Sequence, residues 1–267
     1  MEKLAVKYRE YMPSPALSPY VECYWARTAN PLGATGQDTH RVVPDGCIDI
    51  VVEFDARTLE ASGQIVAGHS DRASLVGAMS RPLIVNAGPE ICFVGVRFKP
   101  GKAIQFLGVN AGDLTDQSIA LGEIWRRDGV GLESRLSEQR GIGGRLGLLH
   151  QALLEKLKHK KDDDPYIEAL VGLILRRRGA VSIEALTKYA GISRQHIARK
   201  FDRHVGISPK LFCRVIRFQD LMTTIKRARR IDWATTALEF GYYDQAHMIS
   251  DFKEFSGVTP ASFAAIG

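Results

Sequence analysis

Hydrophobic and polar positions change period once along the chain. Between residues 20 and 100 the apolar positions fall in short β-branched or aromatic runs. These are Val21–Trp25, Arg41–Val43, Cys47–Phe54, Gln64–Ala67, Leu83–Val85 and Cys92–Phe98, separated by Gly, Pro, Asn and Asp. Pro44-Asp45-Gly46 is a tight-turn sequence, because proline presets φ and glycine tolerates positive φ. Strands at this spacing predict an antiparallel barrel or sandwich over about residues 15–100. From about Lys102 the period is helical, giving a helical part over about residues 101–160. Leu146, Leu149, Leu153 and Leu157 form a stripe on one helix, Arg145–Lys161. That stripe fits two roles, packing on the chain's own barrel or forming a dimer seam. Residues 158–164, Lys-His-Lys-Lys-Asp-Asp-Asp, are too polar to bury and read as a linker. Asp164-Pro165 then starts a new helix, with Ile167, Leu170, Val171 and Ile174 inward.

Within residues 165–267 a pattern occurs twice, 51 residues apart. Phe201-x4-Gly206-x-Ser208-Pro209 recurs as Phe252-x4-Gly257-x-Thr259-Pro260. A glycine precedes each copy (Gly191, Gly241), with a small residue four positions before it (Thr187, Ala237). Short helix, glycine turn, second helix is the sequence form of a helix-turn-helix. The two units cover about 183–204 and 232–255. Between them, Leu211, Val215, Phe218, Met222 and Ile225 predict a long helix joining the two units. The chain therefore divides into residues 1–160 and an all-α region, 165–267.

Charge sharpens this division. The net charge of +6 is concentrated in the repeat: residues 165–267 hold 16 Lys and Arg against 9 Asp and Glu, the rest 20 against 21. A positive surface on a repeated helix-turn-helix points to double-stranded DNA. On the second helix of the first unit, Ile197 and Phe201 face inward; Gln195, Arg199 and Asp202 fall roughly opposite with Ala198 at the edge, and Arg194, Gln195, Ala198 and Arg199 are the candidate DNA contacts. Gln and Arg carry the forked donors that match adenine and guanine edges. In the second unit the outward positions are Gln245, Ala246, His247, Ser250 and Lys253, a set with less hydrogen-bonding capacity. His247 fits either a base or phosphate contact or an ordinary surface histidine. Lys226-Arg-Ala-Arg-Arg230 suits phosphates.

These residues resemble the arabinose-regulator family, AraC/XylS. The likeness is carried by Gly191-Ile-Ser-Arg-Gln-His-Ile-Ala-Arg-Lys-Phe201, Gly206-Ile-Ser-Pro209, Arg217, Gly241-Tyr-Tyr-Asp-Gln245, Phe252-Lys253 and Gly257-Val-Thr-Pro260. The family usually has alanine where this chain has Thr187 and Leu221, and often an aromatic or small polar residue in place of His247. The resemblance implies a bacterial transcription regulator that works with RNA polymerase. Its base-reading positions fall on Gln195, Ala198, Arg199, Gln245, Ala246, His247 and Ser250. Residues 1–160 are similar to the sensor half of a less-characterised subgroup through Pro44-Asp-Gly-Cys-Ile-Asp49 and Gly95-Val-Arg-Phe-Lys-Pro-Gly101. The expected fold is α+β, a cupin-like antiparallel β-barrel or sandwich with helices, followed by the all-α DNA-binding domain. The same likeness implies a small-molecule effector pocket in the barrel, or a homodimer, or both.

Trp25, Asp49, His69 and Arg97 are the candidate effector contacts, as polar or aromatic residues on strand-like stretches. Arg97 suits an anionic ligand or, alternatively, a buried pair with Asp45 or Asp49. A competing reading is a bifunctional protein, with a metal-dependent enzyme in the barrel fused to DNA-binding helices. That needs clustered His and carboxylate ligands, and His40 and His69 stand isolated, so neither catalysis, cofactor nor metal is expected. A thiol-based alkylation sensor needs cysteines beside a basic residue, whereas Cys23, Cys47, Cys92 and Cys213 are scattered. With no signal-peptide core and no apolar stretch approaching ~18 residues, a cytoplasmic protein without a membrane anchor is expected.

Overall fold

The computed structural model describes residues 7–28, 38–55, 72–87, 91–159, 164–228 and 230–266. Its largest sheet is antiparallel and six-stranded, in the order β1-β2-β7-β4-β5-β8. The central strands are β2 (Val21–Thr28), β7 (Ile91–Phe98) and β4 (Ile48–Asp55). Around them lie β1 (Lys7–Tyr11) on one edge, with β5 (Arg72–Val76) and β8 (Ser118–Ala120) on the other. A separate ribbon pairs β3 (Asp38–Val42) with β6 (Leu83–Ala87). Strands β1, β5 and β8 were not legible as apolar runs. Lys7–Tyr11 is a polar edge strand, and β5 buries just Ala73 and Leu75. The predicted run Gln64–Ala67 lies outside the described residues.

Alternation along β4 and β7 sends their two faces to different tasks. Ile48, Ile50, Val52 and Phe54 are buried opposite Phe98, Val96, Val94 and Cys92. This face meets helices: α1 (Ile104–Leu107), α2 (Leu121–Trp125), α3 (Arg127–Ser137) and α4 (Gly141–Leu157) close over it. Tyr24 Oη lies 3.0 Å from His150 Nδ1 on α4, and the Arg145 guanidinium stacks 4.1 Å above the Phe54 ring centre. The other face, with Trp25, Asp49, Val51, Phe93 and Arg97, is turned toward the ribbon.

The leucine stripe finds its cover inside the chain. Leu149 is 1% exposed and Leu153 0%, in the same core as the sheet, with Leu146 and Leu157 half-buried beside them. Of the two roles open to the stripe Leu146/Leu149/Leu153/Leu157, packing on the chain's own sheet accounts for Leu149 and Leu153, while Leu146 and Leu157 keep part of their surface.

The C-terminal half follows the repeat. Helix α5 (Pro165–Arg176) is capped by Asp164, which accepts from the Tyr166 and Ile167 amides. The first unit is α6 (Ile183–Ala190) and α7 (Arg194–His204); the second is α9 (Trp233–Glu239) and α10 (Gln245–Ser256). Gly191 and Gly241 make the turns in the left-handed region, at φ +65° and +70°. Between the units runs α8 (Pro209–Arg227), and α11 (Pro260–Ile266) ends the described chain. Helix α8 buries more than the predicted stripe: besides Val215, Phe218 and Ile225 it covers Phe212, Cys213 and Leu221. Among the described residues no helix is long and apolar enough to cross a membrane.

Candidate nucleic-acid interface and adjoining cavity

Each outward helix begins with a side-chain cap at the same place in the repeat. Ser193 accepts from the His196 amide, and Asp244 from the His247 amide at 2.7 Å. Ile197 and Phe201 on α7 are fully buried, as are Met248 and Phe252 on α10. Helical periodicity then leaves Arg194, Gln195, Ala198 and Arg199 exposed on the first helix. Gln245, Ala246, His247, Ser250 and Lys253 are exposed on the second. His247 is partly engaged at home: its Nδ1 accepts from the Tyr243 amide at 3.4 Å and its ring stands edge-on to Tyr242. Its Nε2 lies 3.9 Å from the Asp251 carboxylate.

What aims these helices was not legible in the sequence. The residue just before each inward phenylalanine is ionically pinned to the helix preceding its unit. In the first unit Lys200 bonds Asp164, the cap of α5. Burial pushes the Asp164 carboxyl up, but the Lys200 hydrogen bond, the Ile167 amide and the nearby charges of Lys200 and His204 carry it below the usual carboxylate range. In the second unit Asp251, 4% exposed, meets Arg214 of α8 at 2.8 Å, and the same guanidinium reaches Glu254 at 2.6 Å. Arg217 donates to the carbonyls of Gly241 and Gly179, at 2.9 and 3.3 Å, tying α8 to the second turn and to the end of α5. The signal was present in outline: both locks span nearly the same distance, 36 and 37 residues, at equivalent points of the repeat.

The second feature is a cavity of about 160 Å³ between the large sheet and the ribbon. Its walls are Val51, Val76, Phe93, Val42, Leu83 and Val85, with Met79 and Tyr8. Three of the four predicted effector residues meet at its polar end. Trp25 Nε1 donates to Asp49 Oδ1 at 2.9 Å, and Arg97 Nε lies 3.4 Å from Asp49 and 3.2 Å from Asp45. Gly95, between Phe93 and Arg97 on the same strand, makes the room for the Trp25 indole, since a β-carbon there would overlap the ring. Burial pushes the Asp49 carboxyl up to about 6 against the opposing pull of Arg97. His69 lies outside the described residues, as does the side chain of His40. Burial raises the thiols of Cys23 and Cys47, the reverse of what a reactive sulfur needs. No three metal-ligating side chains gather among the described residues.

Residues 186–265 match a family described as a helix-turn-helix domain, and residues 9–120 match a domain of unknown function (DUF6597). An uncharacterized HTH-type transcriptional regulator of Haemophilus influenzae is 29% identical over 116 residues, covering 43% of this chain and 37% of its own length. The match thus spans well under two thirds of that relative. Among solved structures, ToxT from Vibrio cholerae is 13% identical, with TM-score 0.46 over 87% of this chain and 96% of its own. The C-terminal domain of AraT, a response regulator from Geobacillus stearothermophilus, is 18% identical, with TM-score 0.37 over 39% of this chain and 87% of its own.

Proposed function

We propose that this chain, whose C-terminal helices form a helix-turn-helix domain of the AraC type, is a sequence-specific transcriptional regulator that responds to a small effector. The observation that carries the reading is the pair of capped, pinned helices on one rod, each presenting an exposed polar face with its phenylalanine buried behind. The name of the Haemophilus relative is in keeping with it. Joined by α8, the two helices enter successive major grooves about one turn, or ~34 Å, apart. Gln195 and Arg199 read base edges. At the equivalent places the second helix offers Ala246 and Ser250, so it contributes mainly phosphate contacts and orientation, through Lys253 among others.

The effector site is the cavity beside Trp25, Asp49 and Arg97. Its volume is close to the ~150 Å³ known to admit benzene, and most of its wall is apolar, which selects a compact, largely apolar ligand. Its polar lining is Asp49 with two guanidiniums, Arg97 and the buried Arg27, and Arg97 is shared between Asp49 and Asp45. Selection of the full-length protein on random duplex DNA, followed by footprinting, tests the regulator reading. The expected product is a bipartite site with the better-specified half under α7. Recovery of no shared sequence would overturn it.

A further inference from the structure

Between the cavity and the DNA-facing helices stands one short connection, the turn Pro44–Cys47 joining β3 to β4. On its cavity side, Asp45 holds Arg97 at 3.2 Å and accepts from the Cys47 amide at 2.9 Å. On its far side the Pro44 carbonyl accepts from Gln219 Nε2 of α8 at 2.6 Å. Gly46, at φ +78°, lies flat on Phe212 of the same helix; a β-carbon there would sit 2.5 Å from the ring. Phe212 and Gln219 are seven residues apart, two turns, and so share one face of α8. Just before the turn, Val42 lines the cavity while Arg41 donates to the Ser256 carbonyl at the end of α10, at 2.7 Å.

The first unit is held elsewhere. A 3-10 turn, Ala111–Leu114, packs on α7, where Thr115 Oγ1 donates to the Gly206 carbonyl. Gly112 there lies so close to Asp202 that a β-carbon would meet its carboxylate at 2.5 Å. The sheet-bearing half thus touches both units near the C-terminal ends of their outward helices, leaving the N-terminal ends exposed. The contact with the second unit runs through the cavity wall; on the first unit's side a further contact joins the end of β7 to α5, where Gly101 lies on Ile167 and Lys102 meets Glu168 at 3.0 Å.

We propose that the Pro44–Cys47 turn is the link by which occupancy of the cavity moves α8 and α10 relative to α7, and so sets the spacing of the two DNA-reading helices. This rests on the reading of the cavity as an effector site. The turn is suited to transmit displacement because every residue in it is fixed: proline sets φ at Pro44, Asp45 is bonded on two sides, and Gly46 is backed by an aromatic ring. A ligand at the polar end must share or break the bonds of Asp49 and Arg97, and Arg97 is what holds Asp45.

Val51→Trp, which fills the cavity from the large sheet, serves as a built-in occupant, with Val85→Trp filling it from the ribbon should the first variant fail to fold. Affinity of the full-length protein for the selected duplex is then measured with and without Asp45→Asn or Gln219→Ala. The filled variant should change affinity at least about fivefold, the lower end of ordinary allosteric couplings. Either turn substitution should reduce that change to less than about twofold. A change that keeps its size in both turn variants overturns the relay while leaving the cavity and the DNA reading intact. No change in either filled variant, in a protein that still binds the duplex, overturns the relay as well. Failure of the parent protein to select any duplex refutes the regulator reading itself.

Discussion

Asp251→Ala should unlatch the second outward helix without touching its exposed face. The carboxylate is 4% exposed and accepts three charge-assisted bonds from Arg214, at 2.8, 3.2 and 3.3 Å. Removing one partner of a fully buried ion pair costs about 3–5 kcal/mol. Here Arg214 is 26% exposed and keeps Glu254 at 2.6 Å, so its charge is neither stranded nor fully desolvated. That lowers the expected cost to about 2–3 kcal/mol. For a chain of this size each kcal/mol shifts Tm by about 2–4 °C, so the fall should be about 4–12 °C. Thermal unfolding followed by far-ultraviolet circular dichroism measures it, with Glu254→Ala as the control. Glu254 is half exposed, and its loss should cost below ~1 kcal/mol. Were Asp251→Ala to cost less than its Glu254 control, the buried lock would not be what fixes α10.

Four further outcomes follow from the same contacts. Arg199→Ala should relax preference at one base position, by about 1–3 kcal/mol of discrimination, in binding measured across a panel of duplexes. Lys253→Ala should instead weaken all duplexes alike and flatten the salt dependence by about one unit of slope. Because the Asp164 carboxyl sits below its ordinary range, it stabilises the fold above about pH 4 and loses that contribution as pH falls toward its lowered value; Asp164→Asn should make the acid-side stability curve shallower, as read by urea unfolding at several pH values. Leu153→Ala should cost about 2–5 kcal/mol as a core cavity, and sedimentation should give the same assembly state as the parent.

The repeat was legible because each unit announces itself locally: a cap, a glycine turn and an inward phenylalanine all fall within some twenty residues. The strands of β2, β4 and β7 were legible for the same reason, each being an apolar run between turn residues. The pairs that aim the helices were not, since Lys200 and Asp164, or Asp251 and Arg214, meet across 36 and 37 residues, and charged residues on helices ordinarily face water. Trp25, Asp49 and Arg97 could be named from strand character, but their convergence depends on the register that sets Asp49 opposite Arg97. Which face of α4 the leucines cover could not be decided from spacing, because a helix stripe looks the same whether a sheet or a second subunit lies over it. The extra burial of α8 was hidden too: Phe212 and Gln219 lie off the stripe, on the face that receives the β3–β4 turn.

A chain that carries two copies of one design risks assembling them crosswise while it folds, the first outward helix settling on the second unit's support and the reverse. Here the latches have opposite polarity. Lys200 seeks a carboxylate on α5, whereas Asp251 seeks a guanidinium on α8. An exchange would set Lys200 beside Arg214 and Asp251 beside Asp164, like charge against like at both places, each repulsive where the correct pairing attracts. The inverted signs thus give two otherwise similar units a means of telling themselves apart during assembly.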